Sequence, residues 1–372
     1  MKKALFVATV VKKHIVAFHI PYIEWLSNNG YEVHVAARND YTTAELCQIP
    51  NCSKHYDINM SRSPFSQNNI SVLKSLREII DNNSYDLIHC HTPVGGVLTR
   101  LAAKKLRKKG SKVIYTAHGF HFYKGAPLKN WLLYYPVERY MSRYCDALIT
   151  MNQEDYSIAN RFKVNNLYLV NGVGVDLKKF ENTNINVVNK KKDLGIPLES
   201  NIIISVGEIN KNKNHEVIIK ALSHIKSKKY FYLICGEGER KKYLEKLAEE
   251  NDVANQVIFL GYRHDINELY KVADIFAFPS FREGLSISLI EAMASGLPIV
   301  CSNIRGNIDL VNNHEGGILH EPNDIKGFTS AILEISQNAE IASRMSNINK
   351  SNAEKYNISY VLEEVKNIYK NI

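Results

Sequence analysis

The sequence predicts an α/β fold built as two doubly wound parallel sheets, and three observations predict it. Short apolar runs suited to buried strands alternate with amphipathic stretches of helical period through most of the chain. At 372 residues the chain exceeds what one hydrophobic core usually holds, so two domains are expected. Between them, 175–195 is polar, rich in Asn and Lys and without a hydrophobic period, and it reads as a hinge. The predicted divisions are 1–174, 175–195, 196–355 and a last helix, 356–372.

Taken in order, the first half offers strands at 4–10, 32–37, 86–90, 113–118, 147–151 and 167–170. Helices are expected at 18–29, 71–82, 95–109, 129–143 and 153–162. The second half repeats the alternation, with strands at 202–207, 231–236, 257–261, 275–279, 299–302 and 317–320. Two closing helices are expected near 341–355 and 360–372. No internal repeat and no low-complexity tail interrupts this pattern.

Composition narrows the class. Apolar content of 45% and charged content of 23% are ordinary globular values. The six cysteines form no CxxC pair, and several lie in strand-like runs, as expected of reduced thiols in a cytoplasmic protein. Cys47 and Cys52 are close in sequence but lack further ligands nearby for a metal. The start, Met1-Lys2-Lys3 followed by Ala4-Leu5-Phe6-Val7-Ala8, is interrupted by Lys12 and Lys13, so it reads as a strand and not as a signal peptide. No run of eighteen apolar residues suits a membrane span.

The net charge of +9 is uneven: residues 1–175 carry 22 Lys and Arg against 12 Asp and Glu. Arg100, Lys104, Lys105, Arg107, Lys108, Lys109 and Lys112 crowd one predicted helix and its end. They read either as a solvated face or as a surface for anionic lipid, where each such residue contributes about 1 kcal/mol. No motif for nucleic acid accompanies them, so no nucleic-acid partner is expected.

The most informative stretch is 279–296. It lies between two apolar runs, 274–278 and 297–301, and makes a strand–loop–helix–strand unit. Ser286 suits a helix N-cap, Gly296 suits the position after its end, and Pro298 discourages continuation. Glu283 then stands in the loop at a strand's carboxyl end, where open α/β sheets place ligands, and Glu291 lies inside the helix. Backbone N–H groups of Leu285, Ser286, Ile287 and Ser288 would favour an anion. The two carboxylates suit sugar or ribose hydroxyls, with a phosphate on the amides. Alternatively, one is favoured by the helix dipole and the other is merely solvated.

The pattern Glu283-Gly284 followed by Glu291-Ala292-Met293-Ala294-Ser295-Gly296-Leu297-Pro298-Ile299-Val300 resembles the Glu-x7-Glu signature of retaining glycosyltransferases with the GT-B fold. It is closest to the family 4 type of bacterial capsule and exopolysaccharide assembly, and the resemblance continues in order from Lys2 to the last helix. It implies two Rossmann-like domains facing an interdomain cleft, the first for the acceptor and the second for the donor. The last helix would cross back to the first domain. A UDP-sugar donor, a lipid-linked glycan acceptor, no cofactor and no metal are implied with it. The enzyme is then expected in the cytoplasm, peripheral on the inner face of the membrane through its basic half.

Residue by residue, the resemblance implies that Glu283 orients the donor sugar and Glu291 holds the ribose. Lys213, Gly284 and the amides of Leu285, Ser286 and Ile287 would meet the diphosphate. Gly207 and Gly236 make the flanking turns, and Arg263 marks the segment that cups the base. Glu208 departs from the family, which carries Arg there, so Lys213 is left with most of the cationic role, with Lys211, Asn212 or Asn214 beside it. His118, in His118-Gly119-Phe120-His121-Phe122, is implied to contact the donor sugar. The 8–19 loop lacks the usual Gly-Gly, and Lys12, Lys13 and His14 stand in for it toward the acceptor, with His91 and His121. His89 and His91, at i and i+2, could instead hold zinc with a third ligand. The aromatic stretch 123–136 reads as core or as an amphipathic lip for a lipid-linked acceptor. Competing readings are an epimerase or hydrolase of sugar nucleotides on the same fold, and a noncatalytic binder of nucleotides or polyanions.

Overall fold

The computed structural model describes residues 1–43, 46–61 and 63–372. The chain divides into two compact units, Met1–Gly174 with Ser359–Ile372, and Val175–Ile358. In unit 1 the strands are β1 (Lys2–Val10), β2 (Tyr31–Arg38), β3 (Lys54–Asp57), β4 (Leu87–His91), β5 (Lys112–Ala117), β6 (Ala147–Thr150) and β7 (Asn166–Leu169). They pair in parallel in the order β3-β2-β1-β4-β5-β6-β7. The chain therefore winds outward from β1, then restarts beside it at β4. That reversal point is where a doubly wound sheet opens a crevice at its carboxyl ends.

The helices of unit 1 are α1 (Ile20–Asn28), α2 (Asn68–Asn83), α3 (Pro93–Ala102), α4 (Lys104–Arg107), α5 (Leu128–Met141) and α6 (Gln153–Ala159). Alternate β1 residues feed opposite cores: Leu5 and Val7 pack with α2 and α3, while Ala4, Phe6 and Ala8 pack with α1 and the end of the chain. The predicted helix 95–109 is two helices. Arg100 is fully buried and not part of a solvated basic face. Its Nη2 donates to Glu138 at 2.8 Å, its Nε to the Gly96 carbonyl, and its guanidinium lies 4.0 Å over the Tyr115 ring. Arg107 is likewise held, by Asp146 at 2.9 Å. Lys104, Lys105, Lys108, Lys109 and Lys112 remain exposed.

Unit 2 continues with α7 (Lys178–Glu181), α8 (Val187–Asp193), β8 (Asn201–Val206), α9 (His215–Ile225), β9 (Tyr230–Cys235), α10 (Lys241–Glu250), β10 (Val257–Gly261), α11 (Ile266–Val272) and β11 (Ile275–Phe278). It is completed by α12 (Ile287–Ala294), β12 (Ile299–Ser302), α13 (Asn307–Leu310), β13 (Gly317–His320), α14 (Ile325–Gln337) and α15 (Ala339–Ala353). Its six parallel strands run β10-β9-β8-β11-β12-β13, so the reversal lies between β8 and β11. Ile202 and Ile204 enter one core and Ile203 the other. The closing helix α16 (Ile358–Asn371) places Val361, Val365 and Ile368 in the core of unit 1.

Three segments differ from the sequence reading. The supposed hinge folds as α7 and α8, with Leu177 and Phe180 buried in unit 2. β3 was unanticipated because Lys54-His55-Tyr56-Asp57 is a short, polar edge strand. α14 was unanticipated although Phe328, Ala331, Ile332 and Ile335 recur at helical spacing and Asp324 caps the Gly327 amide.

The Arg100–Glu138 pair yields a stability prediction. Removing one partner of a buried pair leaves an uncompensated charge and costs about 3–5 kcal/mol. Glu138→Ala is therefore expected to lower the urea midpoint of unit 1. Tryptophan fluorescence reads this directly, since both tryptophans, Trp25 and Trp131, belong to that unit.

Candidate active site

In unit 2 the two loops at the reversal point are laced together. β8 runs into 207–214 and β11 into 279–286. The Phe281 amide donates to the Asn212 carbonyl at 2.8 Å, and Asn212 Nδ2 donates to the Arg282 carbonyl at 2.9 Å. Asn214, in the left-handed region at φ +53°, donates its side-chain amide to the carbonyls of Pro279 and Pro322. Asn212 and Asn214 are thus spent on carbonyls, and their role is to position the loops. The result is a contact between Lys213 Nζ and Glu283 Oε1 of 2.8 Å, with side chains 17% and 14% exposed. Lys213 Nζ also sits 4.4 Å from the centroid of the Phe278 ring.

The glycines fit close approaches. A Cβ on Gly236 would lie 1.9 Å from the Gly207 carbonyl oxygen, and Gly207 itself lies under the Lys213 stem. Gly306 approaches Gly284 in the same way, which brings the loop after β12, with buried Arg305, against the Glu283 loop. Arg305 is a cationic residue that the sequence reading passed over.

Ser286 caps α12 by accepting from the Leu289 amide, and Gly296 follows the helix at φ +80°, both as predicted. Leu285 and Ile287 pack against the core while their amides lie at the helix start. Glu291 faces the Tyr270 hydroxyl, which donates to its Oε2 at 3.4 Å. Burial lifts the Glu291 carboxyl to about 7, with the Lys179 charge and the Tyr270 hydrogen bond pulling the other way. Glu208 is exposed and accepts from Asn210 Nδ2 at 3.1 Å. Arg263 is clamped by Asp265 through two bonds of 2.7 and 2.6 Å, and Lys190 also reaches Asp265. The Arg263 side chain is thus committed to Asp265, with 34% of it still exposed.

In unit 1 the corresponding reversal point is lined by histidines. β1 ends in a π-helical turn, Val11–Val16, within the stretch expected as a loop. The amides of Lys12 and Lys13 donate to the two carboxylate oxygens of Asp40, at 2.5 and 3.2 Å. Both amides are therefore satisfied from within the chain, while the Lys12 and Lys13 side chains are exposed. His91 is fully buried beside His118, Nδ1 to Nε2 at 3.4 Å, and does not reach the surface. His89 is committed to Tyr369 and Thr116, so the zinc pair that the His89–His91 spacing allowed does not form. Thr92, next to His91, sits at φ +64° and ψ 150°, a strained position for a β-branched residue, and bonds Thr9 through their hydroxyls. Lys13, His14 and His121 line a cavity of about 600 Å³ with Val94, Leu98, Leu133 and Val137.

Comparison with known proteins supplies the family. Residues 187–352 match the family described as glycosyl transferases group 1, and residues 3–152 match the glycosyl transferase 4-like family. The Bacillus subtilis (strain 168) protein named "Putative glycosyltransferase EpsD" is 37% identical over 99% of this chain and 96% of its own length. The chain belongs to the group 1 glycosyltransferases. An Escherichia coli relative named UDP-Gal:alpha-D-GlcNAc-diphosphoundecaprenol alpha-1,3-galactosyltransferase is 29% identical over 81% of each chain. The crystal structure of Anabaena HepE in complex with UDP-glucose shares the GT-B fold, with a TM-score of 0.81, 17% identity and full coverage of both chains.

For this glycosyltransferase, the raised Glu291 carboxyl links stability to pH. Between about 4.5 and 7 the folded chain keeps a proton that the unfolded chain has released, so this residue weakens the fold as pH climbs through that window. Glu291→Gln removes the effect. Its stability relative to wild type is expected to rise by about 2 kcal/mol from pH 5 to pH 8, after allowance for partial exposure, in denaturant unfolding followed by circular dichroism.

Proposed function

We propose that the chain is a retaining glycosyltransferase that moves a hexosyl or N-acetylhexosaminyl group from a UDP-sugar to a hydroxyl of a lipid-linked glycan during surface polysaccharide assembly. The observation that carries the reading is the Lys213–Glu283 contact at the β8/β11 reversal point. In the free enzyme the two side chains hold each other in place. On binding, the donor diphosphate takes Lys213 and the α12 amides, and Glu283 turns to the sugar hydroxyls. Glu291 accepts from the ribose. Preorganised positive charge at the leaving diphosphate is the main contribution such a site makes, and no divalent cation is then needed at the diphosphate. Attack comes from the face the leaving group departs, and the departing phosphate oxygen takes the acceptor's proton.

Support for the donor and acceptor classes comes from the similar proteins, one of which holds UDP-glucose and another of which is named for a diphosphoundecaprenol acceptor. In unit 1, Lys13, His14 and His121 share an apolar cavity suited to the acceptor, and Lys12 adds charge nearby. The same cavity is lined by exposed Phe65, Leu133 and Val137. The α5 helix continues this apolar surface with exposed Leu128, Leu132 and Tyr140, interleaved with exposed Lys129, Arg139 and Arg143. Lys104 packs its ammonium over Tyr144, one turn from Tyr140. An apolar flank rimmed by lysines suits a bilayer surface. No helix among the described residues is long and apolar enough to cross a membrane.

With UDP-sugars and a polyprenyl-diphosphate-linked acceptor, Glu283→Ala is expected to abolish transfer. Lys213→Met is expected to lower kcat by about 10²- to 10³-fold, the scale for losing one preorganised charge-stabilising group. Circular dichroism should be unchanged in both, and full turnover by Glu283→Ala would refute its role. Changing Lys104, Lys105, Lys108 and Lys109 together to Glu is expected to weaken binding to anionic vesicles by at least about 100-fold in co-sedimentation.

A further inference from the structure

We propose that unit 1 carries a site for a divalent transition-metal ion made by His14, His19, His91 and His118. One ring nitrogen from each of the four lies within 4.8 Å of every other. They come from four separate segments at the β1/β4 reversal point: the π-helical turn, the residue before α1, the last residue of β4 and the residue after β5. The inference does not rest on glycosyl transfer, and it departs from the expectation that the chain needs no metal.

The spacing suits one ion. Tetrahedral zinc with bonds of about 2.0–2.1 Å places its ligand nitrogens about 3.4 Å apart and the imidazole centres about 5 Å apart. His118 Nε2 and His91 Nδ1 are 3.4 Å apart. Five of the six ring-centre separations run from 4.7 to 5.7 Å. The sixth, His19 to His91, is a stacked 3.8 Å, so loading the ion would draw these two rings apart by about 1 Å.

The chemistry points the same way. His19 is 1% exposed, and among the described residues neither of its ring nitrogens has a hydrogen-bond partner. Buried polar atoms are nearly always paired, and a neutral imidazole has one ring nitrogen whose lone pair a cation can take. Four nitrogens and no carboxylate select zinc, cobalt, nickel or copper over magnesium or calcium. His14 and His118 are only partly buried, which leaves a side by which the ion enters.

The test uses the full chain, stripped with a chelator and titrated with zinc sulfate by calorimetry, with magnesium chloride in parallel. One zinc per chain is expected, magnesium is expected not to bind, and zinc should raise the melting temperature. His14→Gln and His118→Gln, chosen because both are partly exposed, should each weaken zinc by at least about tenfold, a loss seen even when outer-sphere partners of a metal are removed. Cys47→Ser should bind as wild type, although Cys47 Sγ lies 3.7 Å from His55 Nδ1 and is a competing locus. The proposal is overturned if wild type shows no saturable zinc binding. It is also overturned if the zinc survives unweakened in both histidine variants while circular dichroism shows them folded, or if it is lost in Cys47→Ser.

Discussion

The Lys213–Glu283 contact is the interaction on which the rest of unit 2 converges. Neither residue is positioned by its own element alone. Lys213 stands at the end of the loop after β8, Glu283 in the loop after β11, and the two loops are held by Asn212 and Asn214 through backbone carbonyls. Parallel pairing of β8 with β11 at the sheet's reversal point brings both loops to one edge. A cation and an acid held that close, and largely shielded, can exchange partners with a ligand that offers a diphosphate and hydroxyls together. Removing either residue from this chain leaves the other's charge partly buried without this counterpart.

Unit 1 solves a related problem with different groups. Its buried positive charge, Arg100, is matched by Glu138 and belongs to the core, and the amides that begin its π-helical turn are satisfied by Asp40. Arg100, Glu138 and the Lys12 and Lys13 amides are therefore satisfied within the unit. What it presents outward is an apolar cavity and the α5 flank with exposed lysines beside it. The histidine cluster is the exception, since several of its buried nitrogens have no partner within the described residues.

Much of the architecture was legible because a parallel strand covered on both sides reads as an unbroken apolar run, and because turns carried their own chemistry. Ser286 and Gly296 marked α12 at both ends, and the alternation gave the strands of both sheets apart from β3. Polar content hid the segments that were missed. Lys54–Asp57 pairs only at a sheet edge, and the Lys- and Asn-rich stretch after Val175 buries just a few side chains, Leu177 and Phe180 among them. The loop positions of Glu283 and Lys213 were legible because each follows an apolar strand run, β11 and β8. The candidate site was not legible where partners lie far apart in sequence. Asp40 on the Lys12 amide, Tyr270 on Glu291 and His19 beside His91 are tertiary contacts with no local signature.

The central claim is that the β8 and β11 loops jointly receive the donor's diphosphate. Hydrogen exchange of the full chain with and without a saturating UDP-sugar tests it most directly. Slowed exchange at the amides of both 207–214 and 281–289 is the predicted result, with exchange in β12 and β13 unchanged. Binding of the same ligand that left both loops exchanging at their free rates, and protected some other segment, would contradict it.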